Sequence, residues 1–165
     1  MAYTPFKQVF DVCALEVYLL SSAALVPYLN VTITQLTASS LTLAAPLAPN
    51  INHKGMAFGG SLHAIATLAC WGLLSSYLGE YRQDTGGVSI VVSRSEVDYL
   101  LPVTNDFTIT ATLDDLSQWQ RFMTSLKQHS KARLVLTAEL LLAGGESALN
   151  YRGEFAAKRI SRLGA

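Results

Sequence analysis

The chain has 165 residues, a normal length for one domain and a small one for two, and half of its residues are apolar, which is enough for a sizeable core. Lys plus Arg and Asp plus Glu each number 12, so the formal net charge is zero. Because phosphate binding favours a basic excess, this balance argues against nucleic acid as the main partner. One group of basic residues near the C-terminus is read as a solvated tail: Arg152, Lys158, Arg159 and Arg162.

The two cysteines, Cys13 and Cys70, lie in apolar runs and form no CxxC or Cys/His spacing. We therefore expect small core residues in a reducing compartment, with no metal site and no cofactor. Asp11 and Glu16 interrupt the first apolar run and only Lys7 precedes it with a positive charge, which is unlike a secretory signal. No uninterrupted apolar stretch reaches the length of a membrane span. The expectation is a cytoplasmic protein with no membrane partner.

The first predicted element is an amphipathic helix over residues 6–25, ended by Pro27. Its proposed buried face consists of apolar residues four, three, four and three positions apart: Phe6, Phe10, Cys13, Val17 and Leu20. Residues 31–37 and 41–45 then predict a β-hairpin with one buried face. A loop bracketed by Pro46 and Pro49 follows.

Residues 59–78 predict a helix that is apolar on every side. Such a helix must be buried all round, and in a chain of this length a β-sheet has to wrap around it. Gly79, Gly86 and Gly87 are predicted to form the loop that leaves it.

Four strand-like segments follow, over residues 88–101, 107–113, 133–143 and 150–158, with an insertion helix over residues 116–131. Strands that follow one another without helices favour antiparallel pairing and an α+β architecture. An antiparallel sheet curled around one long central helix is the hotdog fold, here predicted as a single domain over residues 1–165. The long strand from Val88 is a candidate for an edge-to-edge seam, so we expect a homodimer or a higher homo-oligomer.

Two motifs carry a resemblance to a known family. The first is APNINHKGMAFGGSL, residues 48–62, which continues into TLACWG, residues 67–72; the second is YLLPV, residues 99–103. Together they resemble the bacterial thioesterase-like hotdog family typified by the C-terminal half of the YiiD proteins. The resemblance implies an enzyme that acts on an acyl thioester of acyl carrier protein or coenzyme A. It also implies two possible reactions, since some relatives decarboxylate malonyl groups on acyl carrier protein.

Gly59 and Gly60 are the first candidate site residues. At a helix N-terminus the backbone N–H groups lack intrahelical acceptors, and the helix dipole adds positive character. Without side chains, this backbone can approach a thioester oxygen that becomes an oxyanion or enolate. The alternative is that the glycines only let the loop turn into a tightly packed helix. Phe58, Ser61 and Asn50 are predicted substrate-binding neighbours.

By the resemblance, Asn52 is the first choice for a catalytic side chain, because related hotdog enzymes place an Asn or Asp near this point. It could donate a hydrogen bond to a carbonyl or hold a water, or it could simply cap its own loop. Asn50 is the fallback and reads otherwise as a turn residue. His53 is read as an exposed loop histidine.

Gly59, His63 and Thr67 are four residues apart and share one helix face. In many hotdog thioesterases a carboxylate stands where this chain has Thr67, and residues 51–79 contain no Asp or Glu. Threonine is no strong base, so hydrolysis would need His63 or an acid from elsewhere, such as Asp84, Glu96 or Asp98. His63 could instead be a hydrogen-bonded interface histidine.

The missing carboxylate favours malonyl decarboxylation over hydrolysis, because decarboxylation needs a desolvated carboxylate and a stabilised enolate but no initial base. The wider superfamily favours hydrolysis, so both reactions remain open. A non-catalytic acyl-thioester binding module is the alternative of a different class. A hydratase is a more distant third, since its His and acid pairing is not visible.

Overall fold

The computed structural model describes residues 11–85 and 87–160, with the backbone alone for residues 79–85. The four helices are α1 (Val12–Ser22), α2 (Val26–Leu29), α3 (Gly59–Thr85) and α4 (Leu116–His129). The six strands are β1 (Thr32–Leu36), β2 (Ser40–Ala45), β3 (Val88–Tyr99), β4 (Phe107–Thr112), β5 (Lys131–Leu141) and β6 (Ser147–Arg159). A short 3-10 helix, Ala48–Asn50, lies in the loop before α3.

The strands form one antiparallel sheet in the order β1-β2-β4-β5-β6-β3. The central helix α3 packs against every strand from β2 to β6. This confirms the predicted α+β architecture of a sheet wrapped around one long helix. It also places β3, the predicted seam strand, at one edge of the sheet, where β6 is its one partner among the described strands.

Strand alternation predicted the buried face correctly. Phe107, Ile109 and Ala111 of β4 are buried and alternate with more exposed threonines, as the pattern indicated. In β6, Tyr151 and Phe155 point into the core in the same way. The hairpin is also confirmed, although β1 is largely exposed and β2 supplies most of its buried side chains.

The prediction for the N-terminal helix was partly wrong. The helix expected over residues 6–25 ends earlier, at Ser22 of α1. Pro27 does not end it but lies in the first turn of the separate helix α2, where its missing N–H costs nothing. Phe6 and Phe10 lie outside the described residues. The other residues of the predicted face, Cys13, Val17 and Leu20, are exposed, whereas Leu15 and Leu19 are buried. Since α1 is apolar on several sides, its spacing did not distinguish the faces.

Two further expectations need correction. Gly79 is not in an exit loop, because α3 continues to Thr85; Gly87 does turn, with φ of 112°, and Gly86 is outside the described residues. Cys70 is buried as predicted, whereas Cys13 is exposed.

The Gly59–Leu78 segment of α3 is long and apolar enough to span a bilayer, judged by its length and composition alone. This corrects the expectation that no such stretch exists. Since 72% of its most apolar window is buried inside the fold, core packing accounts for the composition.

The insertion helix α4 is amphipathic, and its apolar face packs against the core beside the C-terminal half of α3. Asp115 caps the N-terminus of α4, because the Asp115 side chain accepts a hydrogen bond from Ser117 N at 2.7 Å. Hydrogen bonds from Ser117 lower the pKa of this carboxyl. Its buried residues are Trp119, Phe122 and Leu126. The Trp119 ring lies 4.8 Å from that of Tyr77 on α3, measured between centroids.

Alkaline pH is expected to destabilise the fold. Burial raises the pKa of the Cys70 thiol and raises the pKa of Tyr77 to about 12, so the folded state retains protons that the unfolded chain releases. Stability is therefore complete below the unfolded-state pKa values, 9.0 for Cys and 10.0 for Tyr, and falls above them. Cys70 alone should cost about 1.4 kcal/mol between pH 8 and pH 10.

Urea unfolding at the two pH values measures this loss, and Cys70→Ala provides the control. The variant should lose about 1.4 kcal/mol less than the wild type over the same interval. Equal losses in the two proteins would contradict the assignment to Cys70.

Candidate active site

The loop that leads into α3 is held by a buried asparagine. Asn50 donates from Nδ2 to the carbonyl oxygens of Leu29 and Pro46, each at 2.9 Å, and its backbone carbonyl oxygen accepts from Phe58 N at 2.7 Å. Asn50 is 1% exposed, so it anchors this loop and fixes where α3 begins. The contacts of Asn50 thus explain it as a residue that holds the loop, and its predicted role in substrate binding stays a prediction.

Asn52 shapes the same loop. Its Oδ1 accepts hydrogen bonds from Lys54 N at 2.8 Å and from Met56 N at 3.3 Å, which is an Asx-type turn. Its oxygen is therefore engaged in holding the loop, while the side chain remains half-buried. His53 beside it is exposed, as expected. The catalytic role of Asn52 stays a prediction.

The two glycines at the start of α3 have different neighbours. A Cβ on Gly59 would lie 3.3 Å from the Tyr99 ring, and the Tyr99 hydroxyl donates to Gly59 O at 3.1 Å. A Cβ on Gly60 would collide with the ring of Phe58, which is 56% exposed. Gly59 therefore has a packing reason, whereas the exposed Phe58 ring can turn away from a side chain at Gly60. Both glycines also begin the helix, where the amides of Gly59, Gly60 and Ser61 have no intrahelical acceptor.

One face of α3 is not fully buried, which corrects the expectation of burial on all sides. Its residues recur at helical spacing and form one wall of a groove of about 540 Å³. The opposite wall comes from the end of α1 and from α2, and Ile90 of β3 completes the lining. The α3 residues of this wall are Gly60, His63, Ala64, Thr67, Leu68 and Trp71.

The groove combines a polar strip with an apolar remainder. Gly60, His63 and Thr67 bring a first-turn amide, an imidazole and a hydroxyl to it. Apolar side chains supply most of the other lining: Leu25, Val26, Leu29, Leu68, Trp71 and Ile90. The lining contains no carboxylate and no cation among the described side chains. Of the predicted site residues, the fold brings Gly60, His63 and Thr67 together here, and Asn50, Asn52, Phe58, Gly59 and Ser61 lie outside the lining.

Two residues that the sequence interpretation did not select contact this strip. The His63 Nε2 atom lies 3.0 Å from Ser95 Oγ on β3, and the Thr67 hydroxyl donates to Tyr151 Oη on β6 at 3.0 Å. The Tyr151 and His63 rings are 5.7 Å apart. Tyr151 is 2% exposed, and this burial, the largest influence, raises the pKa of its hydroxyl.

Gly153 makes room for this tyrosine. It lies two positions after Tyr151 on β6 and directly opposite Ser95 in the β3–β6 register. A Cβ there would lie 2.7 Å from Tyr151 Oη and 2.8 Å from the Phe155 ring. The alternation of Tyr151 and Gly153 was visible in the sequence, but nothing local linked either residue to His63 or Thr67.

Larger concavities lie elsewhere on the described surface. One of about 850 Å³ lies near residues 102–108, and one of about 670 Å³ lies near β4, β5 and β6. The second is lined by Glu96 and Asp98, the acids considered as alternatives for hydrolysis, and by Tyr151. Neither concavity is lined by the predicted catalytic residues on α3, so the groove that contains Gly60, His63 and Thr67 is the candidate active site. The described residues contain no group of three His, Cys, Asp or Glu side chains placed to hold a metal ion.

Comparisons with known proteins agree with this fold. Residues 13–159 match the family model described as “Putative thioesterase (yiiD_Cterm)”. No curated protein matches the chain. Among solved structures, a “putative thioesterase” from Shewanella oneidensis is 26% identical, with a TM-score of 0.71, and the match covers 89% of this chain and 96% of that one.

Two further structures are similar. A protein of unknown function from Chlorobaculum tepidum is 25% identical, with a TM-score of 0.79 and coverage of 88% of this chain and 93% of that one. A thioesterase from Haemophilus influenzae shares the fold at 19% identity, with a TM-score of 0.71 and coverage of 96% of both chains. The family match spans most of the chain, and the fold agrees with it. The protein therefore belongs to the YiiD C-terminal thioesterase family, whose members are thioesterase-like hotdog domains.

Proposed function

We propose that this protein hydrolyses acyl thioesters and that the acyl chain lies in the groove beside α3. The observation that carries the proposal is the composition of that groove, in which a mostly apolar lining ends at Gly60, His63 and Thr67. A hydrocarbon chain gains free energy by leaving water for such a surface. The first-turn amides then lie at the end of the groove where the thioester carbonyl would be placed.

The polar strip contains groups suited to each part of hydrolysis. The Gly60 amide, with that of Ser61 next to it just outside the groove lining, can stabilise the oxyanion that forms on the thioester oxygen. The Thr67 hydroxyl can hold the attacking water, and His63 is a base of the right type one turn away along the helix. Water adds to the carbonyl carbon, the carbon–sulfur bond breaks, and the thiol of coenzyme A or of a carrier protein leaves.

The experiment is an assay of purified protein with acetyl-, octanoyl-, palmitoyl- and malonyl-coenzyme A and with malonyl-carrier protein, with products identified by mass. Hydrolysis predicts free acid and free thiol from apolar acyl groups. The absence of any product, together with saturable binding, would instead support a non-catalytic acyl-binding module. A preference for carrier protein over coenzyme A would identify the physiological carrier.

A groove-filling variant tests where the acyl chain lies. Ala64→Phe places an aromatic ring in the lining and should shift the preference toward shorter acyl chains. Thr124→Phe adds the same bulk on the exposed face of α4 and serves as the control. An unchanged chain-length profile in an active Ala64→Phe protein would place the acyl chain elsewhere.

Malonyl decarboxylation is a second candidate, favoured by one specific observation. No carboxylate lines the described groove, so a malonyl carboxylate would meet no like charge there. The same amides that stabilise an oxyanion would stabilise the enolate left when carbon dioxide departs. Its product in the assay is an acetyl thioester from malonyl-carrier protein, with the carbon–sulfur bond intact.

We also propose that β3 joins a second copy of the chain edge to edge. This long strand is a sheet edge, and it exposes Val91 and Val92 by 56% and 44%. Long exposed edges with apolar side chains favour pairing with another strand. A two-fold axis at β3 would extend the sheet across two protomers.

Val91→Asp is expected to shift the protein from dimer to monomer, because like charges would face each other close to the two-fold axis. Light scattering coupled to gel filtration measures the mass. Val17→Asp is the matched control, since Val17 is 68% exposed on α1 and should leave the assembly unchanged. A wild-type protein that is monomeric at micromolar concentration would refute the seam.

A further inference from the structure

We propose that Trp71, packed against Tyr18 of α1, closes the far end of the groove beside α3 and limits the protein to acyl chains of medium length. This limit rests on the proposed function, since it applies to an acyl chain that lies in the groove. Trp71 would contact the end of that chain and not the thioester. It therefore selects the substrate and takes no part in the chemistry.

The exposure of α3 changes at Trp71. On the face that lines the groove, His63, Thr67 and Trp71 are each half-buried. One helical turn further along the same face, Leu74 and Ser75 are 0% exposed. Trp71 is the last α3 residue in the lining, so the groove ends where the helix passes into the core.

Contacts at this end hold α1 against α3. The Trp71 ring stacks on that of Tyr18, with 5.3 Å between the ring centroids and 20° between the ring planes. A Cβ on the adjacent Gly72 would lie 2.8 Å from a methyl group of Leu41 and 3.1 Å from one of Leu19, so glycine lets α1 lie close to the central helix. Tyr18 itself does not line the groove. An acyl chain therefore meets a tryptophan ring that is already packed, and moving the ring would break the stack.

The distance along α3 sets the length of chain that fits. Gly60, whose amide is proposed to bind the thioester oxygen, and Trp71 are 11 positions apart, which is about 16 Å at 1.5 Å per residue. Because an extended hydrocarbon chain advances slightly less per carbon than a helix advances per residue, an acyl group of about 12 to 14 carbons spans this distance. A longer chain would have to leave its end in water or displace Trp71. A shorter chain would leave part of the apolar lining uncovered.

Turnover of saturated acyl-coenzyme A esters from octanoyl to octadecanoyl tests the limit. Each methylene that enters the lining should raise kcat/KM by up to about fourfold, and the gain should end near tetradecanoyl. Trp71→Ala opens the end of the groove, so kcat/KM for hexadecanoyl relative to dodecanoyl should rise by about tenfold or more. Tyr18→Ala should move the limit in the same direction by less.

Tyr28→Ala is the matched control, because Tyr28 is an exposed tyrosine of α2 that does not line the groove. Its chain-length profile should be that of the wild type. A wild-type kcat/KM that rises steadily to octadecanoyl, or an unchanged profile in an active Trp71→Ala protein, would overturn the limit and leave hydrolysis intact.

Tryptophan fluorescence tests the contact without turnover. The chain has two tryptophans, Trp71 and Trp119, so Trp119→Phe leaves Trp71 as the only one. The probes are S-alkyl-coenzyme A thioethers, which have no carbonyl to hydrolyse. Dodecyl- and tetradecyl-coenzyme A should shift the Trp71 emission, whereas hexyl-coenzyme A at saturation should not. If Trp119→Phe fails to fold, the difference between wild type and Trp71→Phe supplies the same signal.

Equal shifts with hexyl and dodecyl chains, or saturable binding without any shift, would refute the contact with Trp71. If no thioether bound at all, both the acyl groove and its limit would be refuted. A shift that depends on chain length, in a protein that hydrolyses no thioester, would instead refute the proposed hydrolysis and leave the limit standing.

Discussion

His63→Gln is expected to lower kcat for acyl-thioester hydrolysis by about 10²- to 10⁴-fold, the usual contribution of a positioned general base. The imidazole is part of the groove lining and lies one helical turn from Thr67. Glutamine retains a hydrogen-bonding group near Ser95 but cannot accept a proton at neutral pH.

The control for this prediction is His53→Gln. His53 is an exposed loop histidine, so its replacement should leave kcat as in the wild type. Thermal unfolding of both variants should match the wild type closely. If His63→Gln retained its turnover of the preferred thioester, the groove would lack its base and decarboxylation would become the better proposal.

Trp119→Ala is expected to reduce the free energy of unfolding by about 3–5 kcal/mol, a large fraction of the stability of a typical domain. The ring is 5% exposed and packs between Tyr77 and Phe122, with centroid distances of 4.8 Å and 5.3 Å. Its removal would leave a cavity where α4 closes the core. The insertion helix is therefore expected to be part of the folding unit.

Chemical denaturation measures this loss, and Tyr28→Ala is the control because Tyr28 is 77% exposed and should change stability by no more than about 0.5 kcal/mol. Activity separates the two large predictions. Tyr77, the α3 partner of Trp119, lies about 21 Å along the helix axis from His63, at 1.5 Å per residue. Folded Trp119→Ala protein should therefore keep its kcat at low temperature. A stability loss below about 1 kcal/mol would show that α4 is dispensable for the fold.

Asn52 remains in competition with His63 and Thr67 as the source of catalysis. Its oxygen is already engaged by Lys54 and Met56 amides, so an Asn52→Ala substitution disturbs the loop as well as any chemistry. By contrast, Thr67→Ser and Tyr151→Phe change single polar groups on regular elements. A comparison of these variants therefore distinguishes a lost catalytic group from a displaced loop.

Much of the architecture could be predicted because a helix or strand with a buried face has apolar residues at regular spacing in the sequence. The alternation in β4 and β6, the all-round apolarity of α3 and the glycines at turns each follow from local geometry. The same reasoning failed on α1, where apolar residues occur on several sides. There, the packing of Leu19 against Gly72 of α3 helped to decide which face is buried, and that contact has no local signature.

The candidate site, like the fold, could be predicted only in part. Local pattern was enough to predict a glycine pair at the start of a buried helix, with His63 and Thr67 one turn apart, because helical spacing places them on one face. The groups that those side chains contact depend on the assembled fold. Thr67 meets Tyr151 from 84 positions away, and His63 meets Ser95 from 32 positions away. These pairs depend on how β6 and β3 are registered across α3, and strand register is a property of the assembled sheet that no single segment carries.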